Sequence, residues 1–215
     1  MMHKSIKNLT YIKAKIKEVV KIYPTIIAVS KTFGEEDIKP LLNFGHKHFG
    51  ENKVQEGVAK WKNLKNNYKD INLHMIGKLQ TNKVKECVKY FDFIHSIDNK
   101  KLAKKISDEQ KKINKKLKVF IQVNIGDESQ KSGVSKNDLE ELIFYCNEIN
   151  LDLIGLMCIP PANLDPNKYF NEMNILNKKY NFPELSMGMS SDYLQACENS
   201  TSFLRIGSSI FGKRI

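Results

Sequence analysis

The sequence predicts an α/β protein: a single (β/α)8 TIM barrel with an extra N-terminal helix. Two observations carry this. Eight short, near-continuously apolar runs recur along the chain, and an amphipathic helical run follows each of them except the last. Strands apolar on both faces belong to a parallel sheet covered on each side. Eight such alternations over roughly 200 residues suit a closed barrel. An open doubly wound sheet is the competing architecture, but no GxGxxG follows the first strand, as its nucleotide-binding form would require.

The elements follow in order. Ser5–Val20 carries helical periodicity and should cap or flank the barrel. Pro24 introduces the first strand, Thr25–Ser30. The helix EEDIKPLLNF ends at Gly45. Short HKHFG precedes a polar helix from Glu51 to about Asn66. Leu73–Gly77 is the third strand, with a helix over Gln80–Tyr90, and Phe91–Ile97 is the fourth. Asp98 is a suitable N-cap for the Lys-rich helix that follows. Val119–Ile125 leads to a helix over Ser135–Asn150. Leu151–Ile159 is closed by Pro160-Pro161. Asp165-Pro166 starts another helix, a cap followed by proline at the first helical position. Leu185–Met189, a short helix over Ser190–Asn199 and Phe203–Ile206 complete the set. With no repeat or linker, residues 1–215 are drawn as one domain, of which about 1–23 is the flanking helix.

Composition narrows the function class. A chain of 215 residues buries enough surface to fold without disulfides or metals. No apolar run approaches the roughly 18 residues of a membrane span. The start has no secretory-signal pattern. Cys87, Cys146, Cys158 and Cys197 lie far apart, without CxxC, and read as reduced, buried thiols of a cytoplasmic protein. The net charge of +11 suggests nucleic acid, yet the only arginines are Arg205 and Arg214 and the rest of the charge is Lys. Lys100–Lys118 holds nine Lys and no aromatic residue, unlike the Arg- and aromatic-rich surfaces that read nucleic acids. It reads as a solvated helix face. Neither nucleic acid nor a membrane is an expected partner.

Barrels of this kind place their sites at the C-terminal strand ends. Lys31, in Ser30-Lys31-Thr32, ends the first strand, where desolvation lowers an amine's pKa and makes it nucleophilic toward aldehydes. The seventh and eighth strands end in MGMSSD (187–192) and RIGSSIFG (205–212). Backbone N–H groups and hydroxyls in such loops hold phosphate. Arg205 stands in the eighth strand of a chain that otherwise uses Lys, which implies a need for its planar fork. Glu51 and Asn52 close strand two. His74 and His95 lie within strands three and four and are expected as packed residues. His46 and His48 form HxH, but without a third ligand at metal-site spacing, and no metal is expected. An imine-forming Lys, a phosphate cradle and an Arg on one barrel face suit pyridoxal 5'-phosphate (PLP), with its aldehyde and its phosphate on one pyridine ring.

The segments IIAVSKT, HFGENKVQE, HMIGKLQTNK, HSIDN, QVNIGDESQKSGV, GLMCIPP, LSMGMSSDY and RIGSSIFGKR run in order from residue 26 to 214. In them the chain resembles the pyridoxal-phosphate homeostasis proteins (the YggS/PROSC family). The resemblance implies a barrel like the N-terminal domain of alanine racemase and an imine between Lys31 and the cofactor aldehyde. It places the phosphate on Ser190, Gly207 and Ser208, and Asn52, Met187 and Arg205 along the cofactor. Ser191 stands where the family often has Asp or a small residue, and the tail after Gly212 is shorter than usual. In the related racemases an Arg faces the ring nitrogen and keeps it unprotonated, which weakens the ring as an electron sink and argues against transamination. Racemization would need a second base, which alanine racemase takes from another domain that this chain is expected to lack. The expected function is therefore a cytoplasmic, monomeric carrier that holds PLP without substantial turnover, with PLP-accepting enzymes as candidate recipients. The alternatives are a weak amino-acid racemase or other PLP-dependent enzyme and, from a different class, a basic nucleic-acid binder.

Overall fold

The computed structural model describes residues 2–128 and 130–212. Ser129, within QVNIGDESQKSGV, and the 213–215 tail with Arg214 lie outside the described residues. Eight parallel strands close into a barrel: β1 (Thr25–Val29), β2 (His48–Glu51), β3 (Asn72–Met75), β4 (Phe93–Ile97), β5 (Lys118–Val123), β6 (Asp152–Cys158), β7 (Glu184–Ser186) and β8 (Phe203–Ile206). The ring is sealed by β1 against β8, with Ile27 opposite Arg205. Outside lie α1 (Lys4–Val19), α2 (Glu35–Asn43), α3 (Val54–Asn67), α4 (Val84–Tyr90), α5 (Lys100–Lys112), α6 (Leu139–Glu148), α7 (Pro166–Lys179), α8 (Tyr193–Glu198) and α9 (Ser208–Phe211).

Period-two alternation explains the two cores. Along β4 and β5, Phe93 and Phe120 point inward and join Ile27, Met157 and Phe203 in a small interior cluster. Ile94, Val119 and Ile121 point outward into the larger layer between strands and helices. The amino-terminal helix α1 flanks the barrel rather than capping it. Its buried positions Ser5, Leu9, Ile12 and Ile16 form one stripe, packed against α9, α8 and α2. The Asn8 side chain donates to the Ile210 carbonyl at 2.9 Å.

Several boundaries differ from expectation. The strand in HKHFG runs through Glu51, and α3 starts at Val54 rather than Glu51. Asn99, not Asp98, caps α5, its side chain accepting from the Leu102 N–H at 2.9 Å. The seventh strand stops at Ser186, because Gly188 takes φ +89° and turns the chain out of the ladder. A Cβ there would lie 2.5 Å from the Ala196 methyl, so only glycine fits. The last strand does carry a helix, the single turn α9.

Candidate functional site

A cavity of about 510 Å³ opens at the C-terminal ends of the strands, within the size range of ligand pockets, roughly 300–1,000 Å³. Of the residues expected at a site, Lys31, Asn52, Ser190, Arg205, Gly207 and Ser208 all line it, as does Ser191. Met187 does not. The inward position of β7 is Ser186, so its neighbour Met187 points outward and is fully buried in the helix–strand core. Met189, two residues on, reaches the cavity instead. Val29, Ile76 and Ile159, from the ends of β1, β3 and β6, supply the apolar wall. Inward alternation at a strand end was the signal available for these three.

Lys31 follows β1 in a tight turn that both neighbours fix. Ser30 donates its hydroxyl to Glu51 Oε1 at 2.7 Å, and its carbonyl accepts from Lys60 Nζ at 2.7 Å. Glu51 is fully buried. The same Oε1 also accepts from Trp61 Nε1 and Lys60 Nζ, each at 2.9 Å. On the other side the Thr32 N–H donates to Glu56. Thr32 itself stands at φ +68°, a left-handed conformation costly for a β-branched residue. The sequence reading placed Glu51 at a strand end without giving it this task.

The β7 and β8 loops meet at Ser190. Its hydroxyl oxygen accepts from the Gly207 N–H at 3.3 Å and the Ser209 N–H at 3.2 Å. With both lone pairs engaged, the hydroxyl hydrogen is left to donate. Exposed Ser208 lines the same cavity. A hydroxyl backed by converging backbone N–H groups is anion-binding chemistry.

Arg205 rises from β8 into the cavity and is 4% exposed. Its Nη1 donates to Ser186 Oγ at 2.7 Å and its Nη2 to the Cys158 carbonyl at 2.8 Å. Among the described residues no carboxylate pairs with it. Burial lowers its pKa from the usual value, with Cys158 and Asp192 acting in the opposite direction. Burial pushes the Cys158 thiol up to about 12, so it stays protonated. His46 and His48 do not converge on a common point. His46 Nε2 bonds the His48 carbonyl at 2.9 Å, while the His48 ring turns to His74. Among the described residues no group of three His, Cys, Asp or Glu is placed to hold a metal ion, and no helix is long and apolar enough to cross a membrane.

Residues 5–214 match the family described as alanine racemase, N-terminal domain. The pyridoxal phosphate homeostasis protein of Aquifex aeolicus is 41% identical over 199 residues, covering 88% of this chain and 86% of its own. That of Vibrio alginolyticus is 40% identical over 200 residues, with the same coverage. The PLP-bound structure of PipY from Synechococcus elongatus superposes with a TM-score of 0.87 at 28% identity, covering 97% of this chain and all of that one. An alanine racemase of Clostridium difficile shares the fold, with a TM-score of 0.75 at 16% identity over 57% of its length. With a family match along nearly its whole length and homeostasis proteins as relatives at 41% and 40% identity, the chain belongs to the alanine racemase N-terminal domain family and, within it, to the pyridoxal phosphate homeostasis proteins.

Proposed function

We propose that this barrel binds pyridoxal 5'-phosphate and holds it for delivery, without substantial turnover. One observation carries the reading: an amine, an anion-binding loop pair and a buried guanidinium line the same cavity. Those groups fit the cofactor. Ser190, Gly207 and Ser208 would hold its phosphate, Lys31 its aldehyde, and Asn52 and Arg205 its ring. When bound, the cofactor supplies an electrophilic aldehyde and a pyridine ring able to take up electron density.

The chain's own residues then bind and orient. The Glu51–Lys60–Trp61 cluster fixes Ser30 and so aims Lys31. Ser190 donates into the cavity. Arg205, donor only, keeps a proton off any basic nitrogen it faces. Racemization needs a base on each face of a substrate carbon. Lys31 and Arg205 are the titratable side chains among the described residues lining the cavity, which supports storage over turnover. The domain of residues 1–215 is read as one cofactor-binding unit in the cytoplasm, acting as a monomer with PLP-accepting enzymes as recipients.

Borohydride reduction of the PLP-loaded protein followed by peptide mass analysis tests this. The adduct is expected on the Lys31 peptide and absent in Lys31→Ala. An adduct spread over surface lysines, or sustained formation of D-amino acid, keto acid or amine from L-amino acids, would overturn it.

A further inference from the structure

Three histidines cross the interior of the barrel in one hydrogen-bonded file. His48 Nδ1 lies 3.0 Å from His74 Nε2, and His74 Nδ1 lies 2.9 Å from His95 Nε2. His95 then spans from β4 to β7, its Nδ1 2.9 Å from Ser186 Oγ. Ser186 in turn accepts from Arg205 Nη1 at 2.7 Å. The file starts at half-buried His48, the first residue of β2, at the barrel floor. It ends at the guanidinium in the cavity. His74, His95 and Ser186 are fully buried, and the rings of His74 and His95 stack on Phe93 and Phe120 at 4.1 and 4.3 Å.

The direction of every hydrogen follows from one end. Arginine can only donate, so Ser186 Oγ accepts from it. Among the described residues the one remaining partner of the Ser186 hydroxyl is His95 Nδ1, and a buried hydroxyl hydrogen without an acceptor is costly. Ser186 therefore donates to His95 Nδ1. His95 then carries its hydrogen on Nε2 and donates to His74 Nδ1. His74 likewise donates from Nε2 to His48 Nδ1. All three rings are neutral Nε2–H tautomers, and the file leaves no buried polar atom of its own unpaired.

We propose that Ser186, His95, His74 and His48 form a one-directional relay that positions the Arg205 guanidinium and carries the protonation state of His48, at the floor, to the cavity. Protonating His48 adds a hydrogen at Nδ1, which can no longer accept from His74. His74 must then carry its hydrogen on Nδ1, and His95 must do the same. Ser186 Oγ now accepts from both His95 and Arg205, and its own hydrogen loses its acceptor. The file holds one proton more, on His48, and every donor between the rings has reversed. The Arg205–Ser186 bond is thereby shared and weakened. The groups acting on His48 are Lys118 from β5 and Lys47 beside it, both opposing its charge. His95, His48, Lys65 and His46 act on His74, and Arg205 acts on His95. Burial is the largest influence on each of the three rings, and with these charges it lowers their pKa below the usual histidine value.

The consequence for a bound ligand rests on the cofactor reading above; the relay itself can be tested without it. Full-length apo-protein labelled with 15N on His and Arg gives both ends of the file, and the sequence has only two arginines to assign. Expected are Nε2–H tautomers at His48, His74 and His95 near pH 7. The Arg205 side-chain signals should then shift with the midpoint of His48 as pH falls. In His74→Phe, His48 still titrates but Arg205 no longer follows. In PLP-loaded protein the visible band carries the same inflection in the wild type and loses it in His74→Phe. An Nδ1–H tautomer at any of the three rings near neutral pH, or Arg205 signals unchanged through the His48 titration, overturns the relay. Should His74→Phe fail to fold, the wild-type tautomers and the Arg205 titration decide. Should the protein take up no PLP, the cofactor reading fails while the apo measurements still decide the relay.

Discussion

Lys31 is aimed by its neighbours more than by its own strand. Ser30 is held through fully buried Glu51, whose Oε1 collects Lys60, Trp61 and Ser30 while Oε2 is left without a hydrogen-bond partner. Removing Glu51 takes away the nearer carboxylate of buried Lys60 and leaves it Glu56 at 3.4 Å, so the loss should fall at or below the low end of the about 3–5 kcal/mol typical of a broken buried pair. Glu51→Ala is therefore expected to lower the unfolding free energy by up to about 3 kcal/mol, read from urea titration. Glu51→Gln should cost less, because it keeps an acceptor for Ser30 and Trp61. Equal losses in the two variants would show that the Lys60 charge, not the acceptor oxygen, dominates. Thr32 tests the other flank. Its left-handed backbone costs of order 1–3 kcal/mol, and glycine removes that strain while raising unfolded-state entropy by about 0.5–1 kcal/mol. Thr32→Gly should leave a net gain near 1 kcal/mol, a rise of about 2–4 °C in melting temperature. A lowered melting temperature would mean that the Thr32 side chain makes contacts that outweigh the strain. At this scale the cavity lining was legible where chemistry is explicit in the residue type: Lys31, Ser190, Arg205, Gly207 and Ser208 were readable at strand ends and line the cavity. The Ser30–Glu51–Trp61 support was not, because it joins residues whose types are ordinary and whose partnership exists only after β1, β2 and α3 have packed. Met187 was misplaced by one register step: strand alternation sends Ser186 inward and Met187 out.

Helix α5 shows how local signals select between neighbouring caps. Asp98 and Asn99 both have capping side chains. Asn99 takes the position because its Oδ1 reaches the Leu102 N–H, while its amide nitrogen donates to Asp98 at 2.6 Å. Asn99→Ala is expected to cost about 1 kcal/mol, with Asp98→Ala near neutral, read from thermal unfolding of the two variants. The reverse ranking would return the cap to Asp98. The Lys-rich surface of this helix is solvated as expected: Lys104 pairs with Asp108, and Lys105 and Lys112 both pair with Glu109, while Leu102, Ala103 and Ile106 face the core. Most strand cores were legible because apolar residues dominate them, but their ends were not. The last residues of a barrel strand leave the ladder where a special backbone angle intervenes, as at Gly188. The one-turn helix α9 is too short to leave a periodic pattern and was not anticipated.

Across the whole molecule, polar groups inside the barrel are spent on a histidine file rather than on a further apolar layer, and this has a consequence for acid stability. The closed eight-strand topology was readable from alternation alone, yet the role of His74 and His95 was not: each reads as an isolated strand residue until closure brings β4 opposite β7. Burial, reinforced for His74 by His95 and for His95 by Arg205, holds both rings well below the usual histidine pKa of 6.5. Burial, aided by Lys13, lowers His46 to about 4. The sign follows from proton counting. Below about pH 6.5 the unfolded chain takes up protons on these rings while burial makes the folded chain resist, so stability is fully present above 6.5 and falls as pH falls. A ring held fully neutral contributes at most about 1.4 kcal/mol per pH unit below 6.5. A domain of this kind holds roughly 5–15 kcal/mol in total, so the loss is expected to be measurable by about pH 5, before most carboxylates titrate. Urea unfolding at pH 7, 6, 5 and 4.5 should show the decline. His46→Gln, which can still donate to the His48 carbonyl, should flatten it by about one proton. Stability unchanged from pH 7 to 5 would mean that the barrel admits protonated histidines and that its interior is far less apolar than its packing indicates.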